Sequence, residues 1–120
     1  MKTILVVDDD PTIVKLLEGI LGNKGYKTVV AQDGLEAMVQ VKKVKPHLII
    51  LDVMMPEING YDVCRNLKFD NEYKAIPIIL LTARNQELDA RIGELMGIDY
   101  MQKPLDSAIL LDKIEQILGS

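Results

Sequence analysis

The sequence predicts an α/β protein, a doubly wound parallel sheet of five strands with helices on both faces, and three observations carry that expectation. Short continuous apolar runs alternate with stretches whose apolar positions recur at helical spacing. The runs are too uniformly apolar to leave one face in water, as expected of parallel strands buried on both sides. The chain has 120 residues, 48% of them hydrophobic, enough for one domain that buries roughly two-thirds of its unfolded surface and too few for two. One domain over residues 1–120 is the expected organisation.

Ile4-Leu5-Val6-Val7 opens the chain as a strand that ends in Asp8, Asp9 and Asp10. A helix should follow, with Asp10 as its cap, Pro11 at its first position, a stripe of Ile13, Leu16, Leu17, Ile20 and Leu21, and a stop at Gly22 and Gly25. Residues 26–31 read as a second strand, and Asp33 with Glu36 forms a capping box for a helix carrying Leu35, Met38 and Val41. The third strand covers 47–51. Across a loop containing Met54, Pro56, Asn59 and Gly60 lies a helix over about 61–69, with Val63, Cys64 and Leu67 inward. Residues 76–81 supply a fourth strand, where Pro77 is tolerable at the entry, and 85–96 a fourth helix. A brief strand over 98–101 and a last helix over about 107–118, inward at Leu110, Leu111, Ile114, Ile117 and Leu118, complete five strand-helix units. Right-handed crossovers covering both faces favour the strand order 2-1-3-4-5, the flavodoxin-like arrangement.

Composition excludes several classes. The single Cys64 forms no internal disulfide, and with one histidine no Cys/His zinc cluster assembles, so a reducing cytoplasm is the expected compartment. The apolar run after Lys2 is too short for a signal peptide or a membrane span. With 18 acidic against 14 basic residues and a net charge of -4 there is no overall footprint for nucleic acid, and one Phe, four Tyr and no Trp offer few stacking platforms.

In the 2-1-3-4-5 order, the crevice outside the carboxyl ends of strands 1 and 3 is the expected site, and Asp8, Asp9 and Asp52 stand there. Three converging carboxylates repel one another unless a cation neutralises them, and an all-oxygen set asks for Mg²⁺ or Mn²⁺. The same aspartates have a plainer reading as caps and a solvated turn. Thr82 at the end of strand 4 and Lys103 after strand 5 would face the same crevice. A divalent cation on one side and an ammonium on the other suit a dianionic phosphoryl group, with Asp52 as the nucleophile that becomes an aspartyl phosphate. Taken singly, Thr82 reads as a hydroxyl satisfying local backbone and Lys103 as a solvated surface lysine.

Ile4-Leu5-Val6-Val7-Asp8-Asp9-Asp10-Pro11, Asp33-Gly34, Leu51-Asp52-Val53-Met54-Met55-Pro56, Asn59-Gly60, Pro77-Ile78-Ile79-Leu80-Leu81-Thr82-Ala83 and Lys103-Pro104 together resemble the receiver domains of bacterial two-component response regulators, and in particular the single-domain chemotaxis-type receivers. That resemblance implies a switch phosphorylated on Asp52 by a sensor histidine kinase or a histidine phosphotransfer protein. It implies Mg²⁺ held by Asp9, Asp52, the Met54 carbonyl and Asp8, directly or through water. Lys103 would bind phosphoryl oxygens, Thr82 would move toward them, and Tyr100 would turn inward in response. A downstream protein would then read the helix over 85–96, the fifth strand and the last helix. Reversing a 1:99 population takes about 5.5 kcal/mol of differential interaction, within reach of several charge-assisted contacts. The resemblance implies a domain that catalyses its own phosphorylation and slow dephosphorylation, not an enzyme with a separate substrate.

Two departures stand out. Gly97-Ile98-Asp99-Tyr100 is one residue shorter than the Gly-Ala-Asp-Asp-Tyr pattern common in the family, which tightens the loop carrying Tyr100, and Leu105 replaces the aromatic that often follows Lys-Pro. Met54 and Arg84 occupy the variable positions flanking the phosphoryl group. A thioether positions water poorly and Arg84 can screen attack, so slow self-dephosphorylation is expected.

His47 falls at the end opposite the carboxylates and reads as an edge histidine, Cys64 as core filler, and Lys42, Lys43 and Lys45 as a solvated helix end complementing its dipole. Leu88, Ile92 and Leu95 read as an inward stripe interrupted by Gly93. Two other classes remain open on sequence. A metal-dependent phosphatase or phosphotransferase would need a lid and a second general acid, neither of which is evident. A flavodoxin-like scaffold would leave Asp8, Asp9, Asp52 and Lys103 without a shared purpose. With all five units spent on the receiver, the signal is expected to leave through protein contacts, not direct nucleic-acid binding.

Overall fold

The computed structural model describes residues 1–52, 60–82, 99–102 and 105–119. In chain order these form β1 (Thr3–Val7), α1 (Pro11–Asn23), β2 (Lys27–Ala31), α2 (Gly34–Val44), β3 (Leu48–Asp52), α3 (Gly60–Lys68), β4 (Ile78–Thr82), β5 (Asp99–Gln102) and α4 (Ser107–Leu118). The helix expected over 85–96, with Leu88, Ile92, Gly93 and Leu95, lies outside the described residues.

The five strands form one sheet in the order β2-β1-β3-β4-β5, every neighbouring pair parallel. Because successive side chains of a strand point to opposite faces, β1 sends Leu5 and Val7 to one core and Ile4 and Val6 to the other. The first core is completed by Ala37 and Val41 of α2 and by Val63, Cys64 and Leu67 of α3. The second is completed by Val14, Leu17 and Leu21 of α1 and by Leu110 and Ile114 of α4. Among the described helices, α2 and α3 cover one face and α1 and α4 the other, and the central strands β1, β3 and β4 are buried almost throughout.

Local chemistry sets the helix ends. The Asp10 carboxylate accepts the Thr12 N–H at 2.9 Å and Pro11 opens α1. Asp33 accepts the Glu36 N–H at 2.8 Å, while the Glu36 carboxylate reaches back one residue further than a regular capping box, to the Gln32 N–H at 3.2 Å. Asp106 caps α4 through the Ile109 N–H, and Gly119 closes it in the left-handed region at φ 73°. Lys45 closes α2 in the same region at φ 50°.

Several expected positions shift for identifiable reasons. Leu16 is 47% exposed, because the sheet-facing arc of α1 runs through Val14, Leu17 and Leu21 and leaves Leu16 outside it. Leu35 is 55% exposed, because α2 buries the small residues Gly34 and Ala37 beside Val41 and so lies close to the sheet. Tyr26 precedes β2, its N–H donating to Leu21 O as the chain leaves α1. His47 precedes β3, its N–H donating to Thr3 O at 2.8 Å. Ile76 and Pro77 precede β4, and Pro77 O accepts the Ile49 N–H at 3.0 Å. Among the described residues no helix is long and apolar enough to cross a membrane.

Candidate functional site

Neighbouring strands β1 and β3 align Val7 with Leu51, so the next residues, Asp8 just past β1 and Asp52 at the last position of β3, stand side by side. Asp9 follows directly. One carboxylate oxygen from each of Asp8, Asp9 and Asp52 can be chosen so that all lie within 4.8 Å of one another. Asp8 and Asp52 are 1% and 4% exposed, whereas Asp9 is exposed.

The neighbouring aspartates divide the work. Asp10 spends its carboxylate on the N-terminus of α1. Asp8 accepts the Asp10 N–H at 2.9 Å and donates its own N–H to Ala31 O at 3.1 Å, which fixes its carboxylate at the mouth of the crevice. The plainer reading of the aspartates as caps thus fits Asp10, while Asp8 combines a turn-closing bond with a place in the cluster. The sequence reading allowed for a solvated turn here but did not identify Asp8, which is buried, as the residue that closes it. An Asp two residues before the donated amide is its signature.

The donor set suits a hard divalent cation: all donors are oxygens, two of the carboxylates are almost wholly out of water, and such a group is costly without neutralisation. Nitrogen and sulfur do not compete there. His47 lies at the amino end of β3, its Nδ1 accepting the Thr3 N–H at 3.0 Å. Cys64 is fully buried against the α2 and α3 side of the sheet, and burial pushes its thiol up to about 12 against a smaller opposing pull from Lys68.

Thr82 ends β4 and is 1% exposed. Asp52 is in register with Leu81, so Thr82 lies one step beyond it at the same end of the sheet. Its own register partner is Gln102, the last residue of β5. Tyr100 lies two residues earlier, 39% exposed. The structure therefore brings Asp8, Asp9 and Asp52 together and sets Thr82 at the same sheet end. Met54, Arg84, Lys103 and Pro104 lie outside the described residues.

Residues 4–115 match the family model of the response regulator receiver domain. The chain belongs to that family. Receiver domains are phosphorylation-dependent signalling switches of two-component systems, phosphorylated by histidine kinases and acting on downstream targets, and they bind Mg²⁺ in an acidic pocket of the kind that Asp8, Asp9 and Asp52 form here.

This receiver is 42% identical over 118 residues to the alkaline phosphatase synthesis transcriptional regulatory protein PhoP of Bacillus subtilis, covering 98% of the chain and 48% of PhoP. It spans about half the length of that relative. It is 36% identical over 120 residues to protein PilH of Pseudomonas aeruginosa, covering 99% of both. Among solved structures it resembles a response regulator of Chloroflexus aurantiacus with a TM-score of 0.93 and 35% identity, over 99% of this chain and 98% of that one. It also resembles the receiver domain of the Pseudomonas aeruginosa sensor histidine kinase PA1611, with a TM-score of 0.88 and 28% identity over 99% and 98% of the two chains. That structure has a magnesium ion coordinated in its active-site cleft.

Proposed function

We propose that residues 1–120 act as one receiver unit in which Asp52 accepts the phosphoryl group from a phosphohistidine of a sensor histidine kinase or a histidine phosphotransfer protein. The observation that carries this reading is the convergence of Asp8, Asp9 and Asp52 within 4.8 Å at the carboxyl ends of β1 and β3. Of the three, Asp52 lies on the central strand, between β1 and β4. An Asp52 oxygen forms the new bond to phosphorus as the nitrogen–phosphorus bond of the donor breaks, and the imidazole leaves with the electron pair of that bond and takes up a proton.

Asp9, Asp52, Asp8 and the Met54 carbonyl would hold Mg²⁺, with Mn²⁺ as a substitute, and the bound cation would supply charge neutralisation for the phosphoryl oxygens. Lys103 would bind those oxygens from the other side. Thr82 would donate its hydroxyl to one of them, and the space it leaves would admit Tyr100. The proposed output surface joins residues 85–96, β5 and α4, and the exposure of Tyr100 and of Ile109 (53%) supports it. A protein target and a cytoplasmic location follow from this reading.

The test is incubation with Mg²⁺ and acetyl phosphate. A mass gain of one phosphoryl group is expected, absent in Asp52→Ala, and no gain, or a gain that survives the substitution, overturns the assignment. With Met54 and Arg84 flanking the phosphoryl group, the adduct is expected to decay slowly. A half-life of seconds in the purified, Mg²⁺-loaded protein overturns that part.

A further inference from the structure

Parallel strands and returning helices separate the charge of this molecule into two poles. Asp8, Asp9, Asp10, Asp33, Asp52 and Asp106 all sit where strands end and helices begin, and the described loops and first helical turns of that pole contain no lysine. Lysines gather at the other pole, where helices end and strands begin. Three of these are engaged. Lys2 Nζ donates to Leu118 O at 3.0 Å, Lys68 Nζ to Lys74 O and Ile76 O at 3.3 Å, and Lys45 pairs with Glu72 at 3.6 Å. Lys24, Lys27, Lys42, Lys43 and Lys74 are exposed around them. The pole also carries the most exposed large apolar residues described, Phe69 at 82%, immediately after α3, and Met1 at 90%.

We propose that this pole, opposite the carboxylate cluster, docks on an anionic lipid surface. The lysines come from four places, the α1–β2 loop, the start of β2, the last turn of α2 and the segment before β4. They are spread across one end of a body measuring 32 × 31 × 28 Å. A spread of long, flexible cations suits a planar field of negative headgroups, which attracts each basic residue within a Debye length. An aromatic side chain projecting among lysines suits the headgroup–acyl boundary, where the ring is buried and the neighbouring ammonium groups stay wet. Only local charge matters at this range, and the lysines outnumber the acidic residues described at this pole, Asp70, Glu72 and Glu115 among them, so the net charge of -4 does not by itself oppose the contact. Docked this way, the receiver turns Asp52 away from the lipid and toward an approaching phosphodonor.

Co-sedimentation with vesicles tests the proposal, using phosphatidylcholine alone and phosphatidylcholine with about a third phosphatidylglycerol. Binding is expected only to the anionic vesicles, and it should fall at least ten-fold when salt is raised from about 0.05 to about 0.5 M. The triple variant K24E/K27E/K74E is expected to lose about ten-fold or more, and Phe69→Ser several-fold at constant salt. Both variants should still gain one phosphoryl mass from acetyl phosphate, which shows that they fold and separates this result from the fate of the Asp52 assignment. Equal binding to both vesicle types, no binding to either, or capture by polyglutamate in preference to vesicles overturns the proposal, the last in favour of an acidic protein partner.

Discussion

Asp8, Asp9 and Asp10 are chemically identical and consecutive, yet each meets a different environment, so their substitutions should separate. Asp10→Ala removes the acceptor for the Thr12 N–H and is expected to cost about 1 kcal/mol of stability in urea unfolding with little change in Mg²⁺ affinity. Asp9→Asn, at an exposed position of the cluster, is expected to weaken Mg²⁺ at least ten-fold by calorimetry and to leave stability without the metal nearly unchanged. Cys64 offers a pH test. Its thiol is raised by burial from 9.0 to about 12, so the folded state keeps its proton where the unfolded chain has lost it. The stabilisation is complete below pH 9 and disappears as pH rises toward 12. A thiol-reactive dye at pH 8 should accordingly label Cys64 only in denaturant. The acidic cluster was legible because each member adjoins a strand whose composition is unambiguous. The Asp8 turn was not singled out, because the bond belongs to a backbone amide and leaves only an i, i+2 spacing in the sequence.

The elements were legible where local chemistry is strong. Asp10-Pro11, Asp33 with Glu36, and Gly119 mark helix ends by groups that act within one turn, and α4 spans Ser107–Leu118 as its periodicity indicates. Failures came where tertiary packing chooses among apolar residues. Leu35 looked like a core residue because leucine usually is, but the space under α2 admits Gly34 and Ala37. Leu16 competed with Leu17 on adjacent bearings, and only the sheet beneath decides between them. Gly19 gives a test of local propensity: it lies inside α1, and a β-carbon built there meets no atom within 4 Å. Gly19→Ala should therefore stabilise the protein by about 1 kcal/mol in urea unfolding. A destabilised variant would show that some close approach to α1 depends on the missing methyl.

The strand order of the whole molecule followed from a general rule of handedness, whereas the separation of charge did not follow from a total. A net charge of -4 hides an acidic end and a basic end, because a sum discards position and only the topology restores it. Metal binding acts at the same scale. A ligand that binds only the folded state at a hundred times its dissociation constant adds about 2.7 kcal/mol, so saturating Mg²⁺ should shift the urea midpoint upward and EDTA should reverse the shift. Asp8→Asn with Asp9→Asn should abolish the difference between the two conditions. The sheet also has an uneven mechanical build. β1, β3 and β4 each lie between two neighbours, whereas β2 and β5 are edge strands with one neighbour each, and β5 is the more open of the two, three of its four residues being exposed. With a single neighbour and so little cover, β5 is expected to exchange its amide protons well ahead of β1, β3 and β4 in native-state hydrogen exchange.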